Sequence, residues 1–293
     1  MKVQPALKRF ILKSRIGRKT VNLLKHRIGR KIANRYHHYH TDCFVISFPK
    51  CGRTWLRVML AKALALYFGD PRDIVFDPMD VVRNNPQRGP LIRFTHDGIT
   101  KSPAVETKQR EKRYQWYTHK KVIFLVRDPR DVLVSNYFHR TRRRNESYDL
   151  GDFVRHQWWG IDRVVAFMKG WYEHRHVPSS FLLVRYEDLH RNPAGELRRI
   201  LTFVGLEDVS DEIVRTSVNY ASFDNMLKMS LNELSEENRL APADPQDPES
   251  FKMRRGEIGG YKRYLSAADV EYVEERIRRE LPLSFGYTDL GIK

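Results

Sequence analysis

The most restrictive feature of the sequence is an almost continuous apolar run at residues 121–126, Lys-Val-Ile-Phe-Leu-Val, which Arg127, Asp128 and Pro129 follow at once. A strand without polar alternation is buried on both faces, as in a parallel sheet that helices cover on both sides. Proline suits the first turn of a helix, so we predict a helix from Pro129 to about Arg140. Because parallel neighbours need long crossover connections, usually helices, this strand predicts an α/β domain.

The other predicted elements continue this alternation of strands and helices. Short β-prone runs predict strands at 43–48, 91–95 and 181–186. Apolar residues recurring every three or four positions predict helices at 54–68, 150–175, 193–204, 211–219 and 267–280. Residues 231–250 are polar and acidic and contain three prolines, which predicts a mobile loop. The predicted fold class is a single three-layer α/β/α domain with a mainly parallel central sheet, over residues 41–293.

The charge of the chain is concentrated at its start. The formal net charge is +17, and residues 1–40 hold twelve lysines and arginines without any acid. Val21, Leu24, Ile28 and Ile32 fall at helical spacing, which predicts a basic N-terminal arm that is helical or disordered. Four interpretations of this arm remain open: an anchor on an anionic membrane surface, a basic helix that lies on the domain, a disordered tail and an organellar transit peptide. Because the charge outside the arm is small, we expect no nucleic-acid partner.

Neither a membrane-spanning helix nor a secretory signal is predicted. No run of about 18 apolar residues occurs, and the longest apolar run in the arm covers only residues 10–12. Cys43 and Cys51 are too few for a disulfide scaffold and lack the spacing of a metal site. We therefore expect a cytoplasmic protein, either free or peripheral on a membrane, and no feature predicts an oligomeric state.

The segment 49–55, Pro-Lys-Cys-Gly-Arg-Thr-Trp, joins the first predicted strand to a helix. Free N–H groups and the helix dipole favour anions at such a junction. Gly52 allows close backbone approach, Lys50 adds a charge, Thr54 offers a hydroxyl group or a helix cap, and Trp55 offers a stacking face. The loop is not a Walker A motif, because Lys50 precedes the glycine. An ordinary strand–helix turn is the alternative interpretation.

Two further clusters of side chains could also bind an anion. Ser135 lies eight residues after Arg127, about two helical turns, so both can face one ligand as a phosphate clamp. The alternative is a turn closed by an ion pair between Arg127 and Asp131. Near the C-terminus, Arg254 and Arg255 precede a turn glycine and resemble a lid that closes on an anion.

Together, these three motifs in this order resemble those of the sulfotransferase family, over about residues 42–266. Members of that family transfer a sulfuryl group from 3′-phosphoadenosine 5′-phosphosulfate (PAPS) and release 3′-phosphoadenosine 5′-phosphate (PAP). The resemblance implies the same reaction here, with a hydroxyl or amine acceptor and without a metal. It also implies a donor site, in which the phosphosulfate is surrounded by Lys50, Cys51, Gly52, Arg53 and Thr54. The 3′-phosphate would be held by Arg127, Ser135, Arg254, Arg255 and Gly256. The adenine would lie near Trp55, Tyr186 and Phe223, and Ser222 and Met226 belong to the same motif as Phe223.

The resemblance also indicates a general base. The acceptor must lose a proton during transfer, and the family commonly places a histidine after a strand in a Lys-Thr-His context. Here Phe94, Thr95 and His96 stand in that order, so His96 is predicted as the base, although phenylalanine replaces the lysine. A capping or surface histidine is the alternative, and Asp97 either orients His96 or begins a turn. We expect structural roles for the remaining candidates, His119, His139, His156 and His190.

Two other function classes remain. A P-loop phosphotransferase would need a Mg²⁺-dependent nucleotide site, for which no Walker motif is present. A non-enzymatic protein could bind membranes or nucleic acid through the basic arm. The acceptor class, whether saccharide, lipid or small phenol, is open.

Overall fold

The computed structural model describes residues 35–83, 85, 89–97, 99, 112–231 and 240–288. The chain divides into two units, Met1–Thr41 and Asp42–Lys293. In the first unit, residues 35–40 are helical, and the rest of the predicted basic arm lies outside the described residues. The membrane, transit-peptide and tail interpretations of the arm therefore stay predictions.

The second unit is built on a four-stranded parallel sheet. The strands are β1 (Cys43–Ile46), β2 (Ile92–Thr95), β3 (Lys121–Val126) and β4 (Ser180–Arg185), in the order β2-β1-β3-β4. The chain leaves β1 for β2 on one side and then returns to β3 on the other side. The carboxyl ends of β1 and β3 thus form a topological switch point, where open α/β sheets bind ligands.

Helices flank this sheet, as the sequence predicted. They are α1 (Arg53–Tyr67), α2 (Pro78–Arg83), α3 (Pro129–Arg143), α4 (Leu150–Arg155), α5 (Ile161–Glu173), α6 (Tyr186–Arg191), α7 (Pro193–Val204), α8 (Asp211–Tyr220), α9 (Phe223–Leu231) and α10 (Ala267–Glu280). The layered α/β/α fold class with a parallel sheet is confirmed. No helix in the described part of the chain is both long and apolar enough to cross a membrane.

The prediction of one helix over 150–175 was wrong in detail. The segment divides into α4 and α5, with the chain extended at His156 and Gly160. A Cβ atom on Gly160 would approach the carbonyl oxygens of Val154 and His156 to 2.5 Å, so this tight break requires glycine. Helices α2, α6 and α9 were not predicted, and within the predicted loop at 231–250 residues 232–239 lie outside the described residues.

The core lies between the sheet and its helices. Residues 122–126 of β3 are all buried, which matches their lack of polar alternation. Helix α1 is buried over most of its circumference, and Leu56, Leu60 and Leu64 are among its core residues. Trp171 of α5 is fully buried and donates from its indole nitrogen to Asp97 Oδ2 at 3.2 Å. This packing fixes the strand ends from which the site is built.

Candidate functional site

A cavity of about 530 Å³ opens where the four strands end. The segment after β1 contributes Lys50, the segment after β2 contributes His96, and the residues after β3 and β4 contribute Arg127 and Tyr186. The C-terminal segment around Gly256 closes another side. The predicted convergence of separate motifs at one edge of the sheet is therefore present.

Most of the predicted site residues line this cavity. They are Lys50, Gly52, Arg53, Thr54, Trp55, His96, Arg127, Ser135, Tyr186, Phe223, Met226, Arg254, Arg255 and Gly256. Cys51 and Ser222 do not. The Cys51 side chain is buried, and burial raises the pKa of its thiol to about 12. Ser222 instead immediately precedes α9, and its carbonyl oxygen accepts from the Met226 N–H at 2.9 Å.

The loop after β1 presents a set of uncapped N–H groups. Lys50 and Gly52 both have left-handed backbone conformations, with φ of 74° and 88°. Gly52 is the N-cap of α1, no side chain caps the helix, and its first turn contains no acid. Thr54 lies inside the first turn, so its predicted capping role was wrong. Uncapped N–H groups and the positive end of the helix dipole together favour a bound anion.

Tyr186 links three of the segments that surround the cavity. A Cβ atom on Gly52 would lie 2.5 Å from Cδ2 of Tyr186, so only glycine allows this ring to approach the loop. The Trp55 and Tyr186 rings meet edge to face at 5.6 Å, and the Arg127 guanidinium lies 4.4 Å from the Tyr186 centroid. The Tyr186 hydroxyl donates to the carbonyl oxygen of Gly256 at 3.2 Å.

Phe223 completes this wall, since a Cβ atom on Gly256 would lie 3.1 Å from its Cδ2. We call Trp55, Arg127, Tyr186, Phe223 and Gly256 the aromatic cluster. Its rings provide faces on which a planar base can stack.

Asp131 fastens the C-terminal segment to the start of α3. Its carboxylate accepts from the N–H groups of Gly259 at 2.8 Å and Tyr261 at 3.0 Å. It also pairs with Arg127 at 3.5 Å, while Arg127 Nη2 donates to the carbonyl oxygen of Glu257 at 2.7 Å. The ion pair of the alternative interpretation is therefore present, and Arg127 also lines the cavity, while its contact with a phosphate stays a prediction. Asp131 was not predicted to hold the third motif in place.

The arginines of the site retain unused hydrogen-bond donors. Nε of Arg127 and Nε of Arg254 are buried and have no hydrogen-bond partner among the described residues. Arg254 Nη1 donates to Glu249 Oε2 at 2.7 Å and to the Tyr264 hydroxyl at 2.8 Å, and Arg255 pairs with Glu249 at 3.1 Å. A buried donor without a partner is costly, and the positive charge of both arginines, which line the cavity, favours an anion there.

His96 has the tautomer of a base. Its Nδ1 lies 2.8 Å from the carbonyl oxygen of Ser47, which can only accept, so Nδ1 carries the proton and Nε2 a lone pair. Burial and the charge of Arg53 lower the pKa of His96 to about 4, which keeps the ring neutral. Asp97 does not orient the ring, because its carboxylate accepts from the Tyr117 hydroxyl at 2.8 Å and from Trp171.

Lys50 lies among other cations. Burial, followed by the charges of Arg143 and Arg127, lowers the pKa of Lys50 to about 7. Burial and the charge of Lys50 lower the pKa of His139 to about 3. His139 and Arg144 line the cavity, a position that the sequence did not predict for His139, and its structural role stays a prediction. We call Lys50, His96, His139 and Arg144 the histidine cluster.

The sequence held a signal for His139 that lies outside the three motifs. Asp131, Ser135 and His139 follow one another at intervals of four, so they share one face of α3 and all three line the cavity. His190 also lines it, 6.2 Å from the Trp55 ring. Phe94 stands where the family commonly has a lysine. The Arg57 guanidinium lies 4.8 Å from the Phe94 ring centroid, so a cation is still close to this position.

The family model for the sulfotransferase domain matches residues 40–285. The chain belongs to the sulfotransferase domain family. Human sulfotransferase 1C2 is 24% identical over 265 residues, which cover 82% of this chain and 83% of that protein. The guinea pig 3-alpha-hydroxysteroid sulfotransferase is 27% identical over 245 residues, covering 78% and 80%.

Solved structures share the fold. The crystal structure of mouse sulfotransferase SULT7A1 complexed with PAP aligns with a TM-score of 0.57 and 20% identity, over 85% of this chain and 86% of that one. Retinol dehydratase in a complex with retinol and PAP aligns with a TM-score of 0.55 and 19% identity, over 83% and 81%. In the described ranges, no group of three or more His, Cys, Asp and Glu side chains is arranged to hold a metal ion.

Proposed function

We propose that this chain is a PAPS-dependent sulfotransferase that transfers the sulfuryl group to a hydroxyl acceptor. The observation that carries the proposal is the cavity itself, in which an uncapped helix N-terminus, cations from separate loops and a neutral His96 converge. Family membership supports the reaction class. Two solved structures with the same fold hold PAP, and one of them also holds the alcohol retinol.

The residues present fit such a donor. The loop from Lys50 to Thr54 and the first turn of α1 would hold the 5′-phosphosulfate end, where N–H groups face the cavity. Arg127, Ser135 and the segment from Arg254 to Gly256 would hold the 3′-phosphate, because all of them line the cavity and the arginines can form charge-assisted hydrogen bonds to that anion. Trp55, Tyr186 and Phe223 would enclose the adenine.

The bound donor supplies an activated sulfuryl group. His96 then accepts the proton of the attacking hydroxyl at Nε2, and the Ser47 carbonyl holds the ring in that tautomer. Lys50 would neutralise the negative charge that develops as the sulfur–oxygen bond breaks. Its lowered pKa rises again beside an anion, because the anion favours the charged form.

Binding measurements test the donor assignment. PAP should raise the melting temperature more than AMP, which lacks the 3′-phosphate, and labelled PAPS should transfer sulfate to members of a pool of hydroxyl compounds. Arg127→Ala should lower PAP affinity by about 10- to 100-fold, as expected of lost charge-assisted hydrogen bonds, and leave AMP affinity almost unchanged. Stabilisation by ATP but not PAP would contradict the proposal.

Two controls separate this proposal from its alternatives. Transfer that persists in EDTA would argue against a Mg²⁺-dependent phosphotransferase. Removal of residues 1–40 should leave PAP binding intact, whereas a protein that acts through its basic arm would lose its binding activity. A cytoplasmic location and a membrane contact through the arm are retained as proposals, and vesicle sedimentation of the full and shortened chains tests the second.

A further inference from the structure

The last turn of α3 carries basic residues beyond those needed for the donor. Ser135, His139 and Arg143 are spaced by four and lie on one face of the helix. At 1.5 Å per residue, Arg143 lies about 12 Å along the axis from Ser135. A phosphate held at Ser135 is too small to span that distance. Arg144, the next residue, lines the cavity together with His139.

These basic residues lack acidic partners. Arg143 Nη1 donates to the backbone carbonyl oxygens of Ala241 at 3.0 Å and Ser250 at 2.7 Å, which carry no net charge. Within the described ranges, no carboxylate lies at ion-pair distance from Arg143 or Arg144. The neighbouring arginines differ, since Arg140 pairs with Glu146 at 2.8 Å and Arg142 with Asp247 at 3.8 Å.

The surroundings of Lys50 and His139 show the same excess of positive charge. The charged groups that most affect the pKa of Lys50 are all cations, with Arg143 first and Arg127 next, and each of them lowers it. The pKa of His139 is lowered by burial, Lys50 and Arg144, and its buried Nδ1 has no hydrogen-bond partner among the described residues. A ligand with negative charge would relieve this repulsion.

The large aromatic side chains of the described cavity wall belong to the aromatic cluster, apart from Tyr264, whose hydroxyl accepts from Arg254 Nη1 at 2.8 Å. Trp55, Tyr186 and Phe223 surround Gly52 and Gly256 in the aromatic cluster, which the nucleotide would occupy. Among the described residues, the part of the cavity that the histidine cluster lines is therefore basic rather than apolar. A purely apolar alcohol would leave the partly buried Lys50 beside it without a counter-charge, which is unfavourable.

We propose that the acceptor carries an anionic group, a carboxylate or a sulfate or phosphate ester, which Arg144 binds while a hydroxyl of the same molecule meets His96. This inference rests on the proposed function. In the transfer step, the acceptor oxygen bonds to sulfur, the bond from sulfur to the donor's bridging oxygen breaks, and PAP leaves with that electron pair. The hydroxyl proton passes to Nε2 of His96.

A pair of fluorescent probes tests the proposal without turnover. 6-Hydroxy-2-naphthoate and 2-naphthol share a ring system and a hydroxyl group and differ by one carboxylate. Each is titrated into the full chain saturated with PAP. The naphthoate should bind more tightly by about 10- to 100-fold, the range of one charge-assisted hydrogen bond. Arg144→Gln should remove that preference, and Arg144→Lys should retain part of it.

Arg142→Gln is the matched control, because Arg142 is close in the chain but does not line the cavity. It should leave the preference for the naphthoate intact, and unchanged PAP affinity shows that each variant is folded. Equal or tighter binding of 2-naphthol, or the absence of saturable naphthoate binding to a chain that binds PAP, would overturn this inference alone. Failure to bind PAP would instead contradict the proposed function.

Discussion

The aromatic cluster and the histidine cluster occupy the same cavity but differ in how their charges are balanced. Arg127 pairs with Asp131, lies against the Tyr186 ring and donates to a backbone carbonyl. Lys50 and Arg144 have no carboxylate partner among the described residues, and cations surround Lys50. The aromatic cluster is therefore organised before a ligand arrives, whereas the histidine cluster stays electrostatically strained until an anion binds.

This difference explains how one cavity can serve both binding and chemistry. Paired arginines keep their geometry, so they can hold a nucleotide at little cost in reorganisation. A lysine among cations is stabilised most where negative charge develops during the reaction. A neutral histidine can accept the proton that the reaction releases. We therefore expect substitutions in the two clusters to affect different measurements.

Replacement of His96 should have the largest effect and should separate the two clusters. His96→Ala removes the proposed proton acceptor, so kcat should fall by about 10²- to 10⁴-fold. PAP affinity should stay within a factor of about two, because the ring contacts Ser47 rather than the aromatic cluster. Steady-state kinetics and calorimetric titration of PAP measure the two quantities.

His119→Ala is the control for this variant, because His119 is exposed and does not line the cavity. It should change neither quantity. If His96→Ala lowered PAP affinity as much as kcat, then His96 would support the shape of the cavity rather than accept a proton.

The sequence predicted the fold where local pattern decides it. Strand β3 and helices α7 and α10 have the predicted limits, because buried apolar runs, Pro193 and Ser266 mark them locally. Tyr186 was placed at the end of a strand but begins α6. Its aromatic ring continues the β pattern, whereas the acids Glu187 and Asp188 favour a helix N-terminus.

The site was predictable only as far as its motifs extend. The order β2-β1-β3-β4 depends on tertiary pairing, which no local pattern encodes. The role of Asp131 depends on contacts with Gly259 and Tyr261, about 130 positions along the chain. His139 was missed for another reason, since it belongs to no motif although its spacing from Ser135 placed it on the cavity face.

Gly52→Ala should have an intermediate effect and tests whether the aromatic cluster depends on close packing. The left-handed backbone alone costs an alanine about 1–2 kcal/mol. The new Cβ atom would also press into the Tyr186 ring. We therefore expect the free energy of unfolding to fall by more than about 1–2 kcal/mol and PAP to bind more weakly. Urea denaturation and PAP titration measure the two losses.

Gly205→Ala provides the matched control, because Gly205 has φ of +100° and nothing within 4 Å of the added atom. Its free energy of unfolding should fall only by the cost of the left-handed backbone, about 1–2 kcal/mol, and its PAP affinity should stay normal. Equal destabilisation by the two variants would mean that the Tyr186 ring moves aside freely and that the cluster is less rigid than its contacts suggest.

The pH dependence of PAP binding should show the smallest effect and belongs to the histidine cluster alone. In the free protein the pKa of Lys50 is about 7, and a bound anion raises it. The complex therefore holds more protons than the free chain above pH 7, and PAP affinity should fall by up to about tenfold per pH unit between about pH 7 and 8.5.

Calorimetry in buffers with different ionisation enthalpies should accordingly detect proton uptake on binding. Lys50→Met retains the aliphatic stem without the charge, so its PAP affinity should be nearly constant over the same range. Ionisation of the 3′-phosphate contributes mainly near pH 6, below this range. Arginine side chains in general do not titrate in this range. If Lys50→Met kept the full slope, the titrating group would lie outside the histidine cluster, and the contrast between the two clusters would no longer rest on Lys50.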